Sequence, residues 1–210
     1  MKKSPLKIFK EMLSTSKAIR HLCLLALIFV SIINPSHLKA KKETDHFANL
    51  KATFIINTLN YIRWQEKDLP STNQPVEFLI VGDDKNNIAT RLEYLLDVTE
   101  LKINNSQLRI RRVSSLKEAN HQIRKDGAKV VLLLDSELNE WNREKYPLIL
   151  GTLIMGESSK FLRKGLALTF RKENNRLKLG INLKRTKTMN LEISSRLLDL
   201  NRVVIDELVH

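Results

Sequence analysis

The sequence predicts an α/β fold: a three-layer sandwich on a mostly parallel sheet, with flanking helices and a C-terminal antiparallel hairpin. Two apolar runs, Val76–Gly82 and Lys129–Asp135, have the composition of strands buried on both faces. Amphipathic stretches alternate with such runs along the chain, which favours parallel strands joined by helices. After Gly165, two short segments of alternating polarity flank Glu173-Asn174-Asn175, which is the pattern of a hairpin.

The first 40 residues are typical of a secretory signal peptide. They carry seven basic side chains and one acidic one, an uncharged run of twelve residues from Leu22 to Ile33, and a small residue, Ala40, at the expected cleavage position. The run is short for a membrane span, although an uncleaved N-terminal anchor is an alternative. We therefore expect residues 1–40 to be a signal peptide and residues 41–210 to fold as a single domain.

The formal charge of +13 would by itself suggest a nucleic-acid or acidic-membrane partner. Six of these net charges lie in the leader, so +7 remains on the mature chain, and export removes nucleic acid as a partner. Cys23, the only cysteine, also lies in the leader. The mature chain therefore has no thiol for a disulfide, a nucleophile or a metal ligand, and its core alone must stabilise it.

The first half of the mature chain has the pattern helix, strand, helix, strand. Apolar residues recur at three- and four-residue spacing over residues 43–63, which predicts an amphipathic helix. The strand 76–82 ends at Asp83-Asp84, which we expect to cap a helix. The apolar stripe of that helix consists of Ile88, Leu92, Leu95 and Leu96. Residues 108–113 alternate in polarity, so this strand should lie nearer an edge of the sheet.

The second half continues the alternation. Ser114 and Ser115 with Glu118 form a capping box for a short helix to Lys125. The strand 129–135 is the most apolar and is predicted at the sheet centre, followed by a helix over residues 136–145 and a strand over residues 147–155. The hairpin should then add an antiparallel edge with one buried face. Beyond Met189 a last helix is expected, started by Ser194-Ser195, with an apolar stripe of Ile193, Leu197, Leu200, Val204 and Leu208.

No constellation of side chains indicates catalysis or a resident metal. Asp83-Asp84 and Asp135 end two parallel strands, which imitates the metal-binding acids of phosphate-accepting receiver domains. Helix capping explains the same residues, because a carboxylate suits the N-terminal end of a helix dipole. His46 and His121 have no partner at metal-ligand spacing. We expect a protein that is not an enzyme and that needs no cofactor.

Trp64 and its neighbour Arg63 lie at the predicted end of the first helix, just before a loop rich in helix breakers. An aromatic residue in this position is either a buried anchor or an exposed lip that contacts a ligand or partner. Arg109, Arg111 and Arg112 form a basic strip on the alternating strand, which either is solvated or faces a partner. The residues alone leave these alternatives open.

Four blocks, in their order and spacing, resemble the YfiR-like family of periplasmic proteins. The blocks are KATFIIN at residues 51–57 with Trp64, FLIVGDD at 78–84, GLALTF at 165–170, and INL at 181–183 leading to LEISSRLL at 191–198. The resemblance covers nearly all of the mature chain. It implies a non-enzymatic periplasmic domain, often dimeric, that binds the periplasmic sensor part of an inner-membrane diguanylate cyclase. Such members restrain the synthesis of cyclic di-GMP, and thereby biofilm formation, and an outer-membrane lipoprotein can relieve the restraint.

The resemblance also implies which residues matter. The signature positions are Trp64, Gly82, Gly165, Phe170, Asn182, Ser194, Ser195 and Arg196. Trp64, Asn182 and Arg196 are also candidate partner- or ligand-binding positions, together with Arg63, the neighbour of Trp64. The two glycines suit special backbone geometry, and Arg196 is the best polar candidate for contact. Gln65 stands where the family often has proline, and the cysteines that form disulfides in some members are missing. Redox control is therefore not expected here.

Two functions of different classes remain open. The first is a periplasmic regulator that acts by contact with an inner-membrane signalling protein, a diguanylate cyclase or a kinase. The second is a periplasmic small-molecule-binding domain. Its cleft would lie at the carboxyl ends of the parallel strands, near Gly82, Asp135 and Gly156.

Overall fold

A computed structural model describes residues 35–70, 74–126, 129–142 and 150–205. The chain divides into two compact units, residues 1–44 and residues 45–210, and the packing below is that of the second unit. The helices are α1 Pro35–Leu59, α2 Ile88–Thr99, α3 Leu116–Asp126, α4 Leu183–Thr188 and α5 Ser195–Leu198. The strands are β1 Ile62–Trp64, β2 Val76–Val81, β3 Lys102–Ile103, β4 Ser106–Val113, β5 Val130–Leu133, β6 Leu153–Gly156, β7 Leu168–Glu173, β8 Arg176–Ile181, β9 Leu191–Ile193 and β10 Val203–Ile205.

The predicted mixed α/β architecture is confirmed. Eight strands form one curled sheet in the order β10-β8-β7-β6-β5-β2-β4-β3, and β1 pairs with β9 in a separate two-stranded sheet. The large sheet is mostly parallel, and among the described strands antiparallel pairing occurs only between β7 and β8 and between β3 and β4. As predicted, β5 lies near the centre, with β2 on one side and β6 on the other.

The strand order determines which faces of the sheet helices α2 and α3 cover. The crossover from β2 through α2 leads outward to β4, and the crossover from β4 through α3 leads back past β2 to β5. Since both crossovers join parallel strands and such connections are right-handed, opposite directions of travel put the two helices on opposite faces of the sheet. The central strands β2 and β5 are consequently buried throughout their length.

Two of the predicted helix caps are confirmed by hydrogen bonds. The carboxylate of Asp84 accepts the backbone N–H groups of Ile88 at 2.7 Å and Ala89 at 2.9 Å. Ahead of α3, Glu118 accepts from the N–H of Ser114 at 3.2 Å and from its hydroxyl at 2.9 Å. The hydroxyl oxygen of Ser115 in turn accepts the N–H of Glu118 at 3.4 Å. Each cap therefore satisfies a donor that the first helical turn leaves unpaired, which is worth about 1 kcal/mol.

The first helix ends earlier than predicted. It stops at Leu59, and Ile62–Trp64 is strand β1 instead of the last helical turn. The backbone carbonyl of Tyr61 accepts from the N–H of Ser194 at 2.9 Å, so the chain here pairs with the distant strand β9. A long-range pairing of this kind overrides the local helical period.

The helix predicted over residues 136–145 is wrong in the part that the structure describes. Only a 3-10 turn forms, at Asp135–Glu137, and residues 143–149 lie outside the described ranges. The side chain of Glu137 is buried and bonds the backbone of Leu116 instead of facing solvent. The next strand is also shorter than predicted and begins at Leu153, because Gly151 just ahead of it has a φ of +72°, far from the extended range of a strand.

The predicted C-terminal helix is wrong over the described residues. After the unpredicted helix α4, Asn190 takes a left-handed conformation with φ +61°, and the chain continues as β9, the short α5 and β10. Strand β10 pairs in parallel with β8 and is the outermost strand. The hairpin β7–β8 is therefore inside the sheet and does not form its edge.

The hairpin itself is confirmed. Asn174 and Asn175 have φ of +47° and +60° at its two-residue turn, and Glu173 pairs with Arg176. The expectation of one buried face is wrong, because Thr169 is as fully buried as Leu168. On that second face, Gly180 leaves room for the hydroxyl of Thr169 and for the side chain of Leu162.

Candidate partner-binding surface

The two-stranded sheet of β1 and β9, which we call the ribbon, brings together residues from both ends of the second unit. Ile62 pairs with Ile193, Arg63 with Glu192, and Trp64 with Leu191. Side chains alternate across a strand, so Arg63 and Glu192 share one face and are exposed. On the other face, Trp64 and Leu191 are buried. The ribbon thus presents a charged side to solvent and an apolar side to the core.

Trp64 is a buried anchor. Its side chain is 6% exposed, and its indole N–H donates to the carbonyl of Gly151 at 3.0 Å. The N–H of Gly151 in turn donates to the carbonyl of Met189 at 2.8 Å, at the end of α4. The indole therefore joins β1 to two segments that are distant in sequence, and it does not form an exposed lip.

A network of polar side chains next to Trp64 also joins the segment after β1 to the segment between α4 and β9. The amide of Gln65 donates to the side-chain oxygen of Asn190 at 2.9 Å, and the amide of Asn190 donates to the carboxylate of Asp68 at 2.9 Å. Asp68 packs so closely on Gly151 that a Cβ at Gly151 would lie 2.4 Å from the Asp68 Cβ. This network fixes the turn after β1 against the start of β9, so the ribbon has a rigid base.

Asn182 is not on this surface. It is 5% exposed, and its side-chain oxygen accepts the N–H of Arg185 at 2.9 Å, which makes it the N-cap of α4. Its own N–H donates to the carbonyl of Ala167 at 2.8 Å. The residue therefore has a structural role at the point where the chain leaves the sheet and turns toward the ribbon.

The segment Ser194-Ser195-Arg196 continues directly from β9. The carbonyl of Ser194 accepts the N–H of Leu197 at 3.0 Å, whereas its side chain makes no capping bond, so the predicted side-chain cap is not formed. Ser195 and Arg196 are exposed. We define the ribbon surface as the exposed residues Arg63, Glu192, Ser195 and Arg196.

The remaining signature positions have structural roles. Gly82 has φ +108°, and a Cβ there would lie 2.3 Å from the hydroxyl oxygen of Ser136, so both the backbone and the space require glycine. Gly165 has φ +84° and ends the 3-10 turn Leu162–Lys164. Phe170 is 2% exposed and belongs to the core. None of these three residues contributes to the ribbon surface.

Comparison with sequence models of known protein families gives the same family that the four sequence blocks resemble. Residues 48–202 match the sequence model of the YfiR/HmsC-like family, which covers α1 from Ala48 to the residue before β10. The chain belongs to the YfiR/HmsC-like family. No curated protein matches it.

Members of the YfiR/HmsC-like family are periplasmic regulators of diguanylate cyclase signalling that act on a membrane signalling protein, and they are not enzymes. Among the residues that the structure describes, no helix is both long and apolar enough to cross a membrane. The same residues contain no cluster of three or more histidine, cysteine, aspartate or glutamate side chains arranged to hold a metal ion.

In this YfiR/HmsC-like chain, side chains fill the carboxyl ends of the parallel strands, where a small-molecule cleft was the alternative. Glu157, just after β6, is 8% exposed and accepts from the ammonium of Lys51 at 2.9 Å and from the N–H of Asp135 at 3.0 Å. A Cβ at Gly156 would lie 2.4 Å from the Cβ of Phe161. These contacts occupy the sheet edge that a ligand of a doubly wound fold would use.

Sequence reasoning missed Glu157 and Glu137, the two buried carboxylates at this edge. Glu137 is 8% exposed and accepts the N–H of Leu116 at 3.1 Å, at the start of α3. The signal for Glu157 was present, because it follows a buried strand just as Asp83 and Asp135 do. For Glu137 there was none, because it lies inside the helix that was predicted over residues 136–145 and does not directly follow a strand.

Proposed function

We propose that this protein binds the periplasmic sensor region of an inner-membrane signalling protein, a diguanylate cyclase, and restrains its synthesis of cyclic di-GMP and thereby biofilm formation. The observation that carries the proposal is membership of the YfiR/HmsC-like family over most of the chain. The filled carboxyl edge of the sheet supports action by protein contact over action through a small ligand. An outer-membrane lipoprotein that competes for the repressor would relieve the restraint.

The ribbon surface is the part of the structure that we assign to this contact. Its exposed charged residues are Arg63, Glu192 and Arg196. The ribbon that carries them is fixed to the core by Trp64 and by the network of polar side chains around Asn190. A rigid base lowers the conformational entropy that binding costs, and exposed arginines are common at protein interfaces. The buried residues Trp64 and Asn182 then act only through the shape of the ribbon.

Repression follows as a shift of populations. A bound repressor favours an inactive receptor only to the extent that it binds that state more tightly than the active one. A difference of about 3 kcal/mol between the two affinities biases the receptor by roughly a hundredfold. Loss of a few contacts at the ribbon surface would therefore be enough to release the cyclase.

We also propose that residues 1–40 are a signal peptide that delivers residues 41–210 to the periplasm as one domain, which forms a homodimer there. Mass spectrometry of the protein from a periplasmic extract should give a mature N-terminus at Lys41. Recovery of the uncleaved chain from the cytosol would contradict this proposal and, with it, the regulatory contact.

The function is tested in cells that carry the chain and its cognate membrane cyclase. Deletion of the chain should raise cyclic di-GMP several-fold, and the wild-type chain should restore the low level. The double variant R63E/R196E should fail to restore it, because two charge reversals oppose the contact that the wild-type residues favour. Cyclic di-GMP is measured by mass spectrometry of cell extracts.

The matched control is R163E. Arg163 is an exposed arginine on the 3-10 turn Leu162–Lys164, outside the ribbon surface. It should restore repression as the wild type does. A cyclic di-GMP level that deletion leaves unchanged would contradict the function, and equal loss with R163E would show that the ribbon surface is not the contact.

A further inference from the structure

Strand β4 has an outer edge that is largely unpaired within the described residues. On its inner side, residues 108–113 all pair with β2. On its outer side, β3 reaches only Ser106 and Gln107. Six residues of β4 therefore border the sheet without a neighbouring strand among the described elements. An edge of this length is a template for strand addition.

The direction of the backbone groups on this edge follows from one hydrogen bond. The carbonyl of Val113 accepts the N–H of Gly82 at 2.9 Å, so Val113 faces β2. In a parallel pair, alternate residues turn both backbone groups to the same neighbour. Arg109 and Arg111 therefore also face β2, whereas the N–H and C=O groups of Leu108, Ile110 and Arg112 point outward.

The two faces beside this edge differ in chemistry. On the α2 side, the half-buried Leu108 and Ile110 line a groove of about 600 Å³ with Leu96 and Leu101, which are also half-buried. Its lining also includes acidic residues, Glu93, Asp97 and Glu100. The guanidinium of Arg112 reaches α2 on that side, where it donates to Glu93 at 3.1 Å. The other face carries Arg109 and Arg111, which flank the nearly buried carboxylate of Glu77 at 3.6 and 3.5 Å.

This alternation defines the strand that would fit. Residues of an added strand lie beside the residues of β4 on the same face and interact with them directly. One set would lie on the α2 face beside Leu108 and Ile110 and should be apolar. The other set would lie beside Arg109 and Arg111 and should be acidic, since two arginines on this face flank a single carboxylate, that of Glu77.

We propose that the outer edge of β4 binds an extended segment of a partner protein, with alternating apolar and acidic residues, by strand addition. This proposal deepens the proposed function and rests on it for the kind of partner, a protein. It names a second contact, distinct from the ribbon surface, and its backbone hydrogen bonds would supply affinity while the alternating side chains supply specificity.

A second copy of the chain is a poor occupant of this edge. Two β4 strands related by a two-fold axis would bring their arginines together, and like charges directly opposite each other on paired strands are destabilising. The arginines therefore act against self-association at this edge and favour an acidic strand. Homodimer formation through β4 would be an outcome that overturns the proposal.

The test measures binding of capped synthetic heptapeptides to the purified wild-type protein. A negative result would therefore overturn this proposal without affecting the cyclic di-GMP test of the proposed function. A fluorescent peptide of alternating valine and glutamate should bind in an anisotropy titration, and its valine–lysine counterpart should not. Two further valine–glutamate peptides carry N-methyl groups on the valines or on the glutamates. Only one of the two should lose binding, because only one set of amides faces β4.

Protein variants locate the peptide. I110P removes one outward N–H and leaves the pairing with β2 possible, since proline is tolerated where the missing N–H faces solvent. It should weaken peptide binding by about fivefold, as expected for one net hydrogen bond. R109Q should weaken binding by about threefold at low salt, as expected for one exposed charge. R163Q, at the exposed arginine used as the control above, should leave it unchanged.

Amide hydrogen exchange supplies a readout that charge attraction alone would not change. In the free protein, the amides of Leu108, Ile110 and Arg112 should exchange quickly and those of Arg109 and Arg111 slowly. The valine–glutamate peptide should slow the exchange of the Leu108, Ile110 and Arg112 amides. The proposal is overturned if exchange of this set is unaffected, if the lysine peptide binds equally well, or if no binding is seen at about 1 mM peptide, where a dissociation constant of about 1 mM would give half-saturation.

Discussion

At the scale of the residue, Trp64 shows how a family signature can have a structural role. The indole is buried and bonded to Gly151, so the tryptophan fixes the ribbon from below. Its neighbour Arg63 projects to the opposite side and is exposed. The alternation of β1 explains the difference, because adjacent residues on a strand face opposite ways. Of the two, only Arg63 can take part in an outward contact.

We expect W64F to loosen the ribbon. Phenylalanine keeps most of the buried apolar area but lacks the N–H that bonds the carbonyl of Gly151, which leaves that carbonyl without its donor. The free energy of unfolding should fall by about 1–3 kcal/mol. Urea denaturation measures this loss, and faster amide exchange at Ser194, which bonds Tyr61 across the ribbon, should accompany it.

Trp141 provides the control. It is also buried, and its indole N–H donates to the carbonyl of Lys164 at 3.1 Å, outside the ribbon. W141F should lower stability by a similar amount and leave the exchange of Ser194 unchanged under native conditions. Equal exchange at Ser194 in W64F and the wild type would mean that the indole does not hold the ribbon.

At the scale of the element, the sequence predicted well wherever one local signal agreed with the tertiary environment. The apolar runs of β2 and β5, the alternation of β4, the capping box of α3 and the Asn174-Asn175 turn were all predicted. In each case, short-range chemistry and long-range packing favour the same conformation. An element can be predicted from sequence when its local sequence signals and its tertiary packing favour the same conformation.

The C-terminal segment shows the opposite case. Ile193, Leu197, Leu200 and Val204 have helical spacing, but the chain forms β9, a single helical turn and β10. Strand β1 supplies a pairing partner for β9, and β8 supplies one for β10. Neither partner is close in sequence, so the periodicity alone could not indicate that these residues would pair.

Helix α4 depends on its cap, and we expect N182A to destabilise it. The variant removes the oxygen that accepts the N–H of Arg185, which costs about 1 kcal/mol at a typical N-cap. Because α4 leads into β9, faster amide exchange should extend from Arg185 to Leu191. Urea denaturation and hydrogen exchange measure the two effects.

The variant N182S is the matched comparison for this cap. Serine retains an acceptor suited to the same position, so N182S should recover most of the stability that N182A loses. Identical stability of N182A and the wild type would show that the cap contributes nothing, and the buried amide would then need another explanation.

At the scale of the whole molecule, the two edges of the large sheet differ in chemistry. Near the outermost strand β10, Leu200 and Ile205 are exposed by 46% and 43%. At the opposite edge, β4 carries three arginines, and the outermost strand β3 pairs only with Ser106 and Gln107 of it. An apolar edge favours association with another copy of the chain, whereas a charged edge opposes it. We therefore assign the proposed homodimer contact to the β10 edge.

We expect I205K to weaken the homodimer by at least tenfold. A lysine at the outermost strand places like charges together across a two-fold contact and removes apolar area from it. Sedimentation velocity across a concentration series measures the dissociation constant. V98K, at a valine of α2 that is 62% exposed, is the control and should leave the constant unchanged. A wild-type chain that stays monomeric at every concentration would contradict the assignment.

The sequence by itself determined the mixed α/β class, the central strands, the hairpin and the family, because these depend on short-range periods and on residues at fixed spacing. Only the tertiary structure decided that Trp64 faces the core, that Glu157 and Lys51 fill the carboxyl edge of the sheet, and that β1 and β9 form a ribbon. The physical reason is distance along the chain. A strand partner or an ion-pair partner about a hundred residues away contributes free energy that no local pattern records.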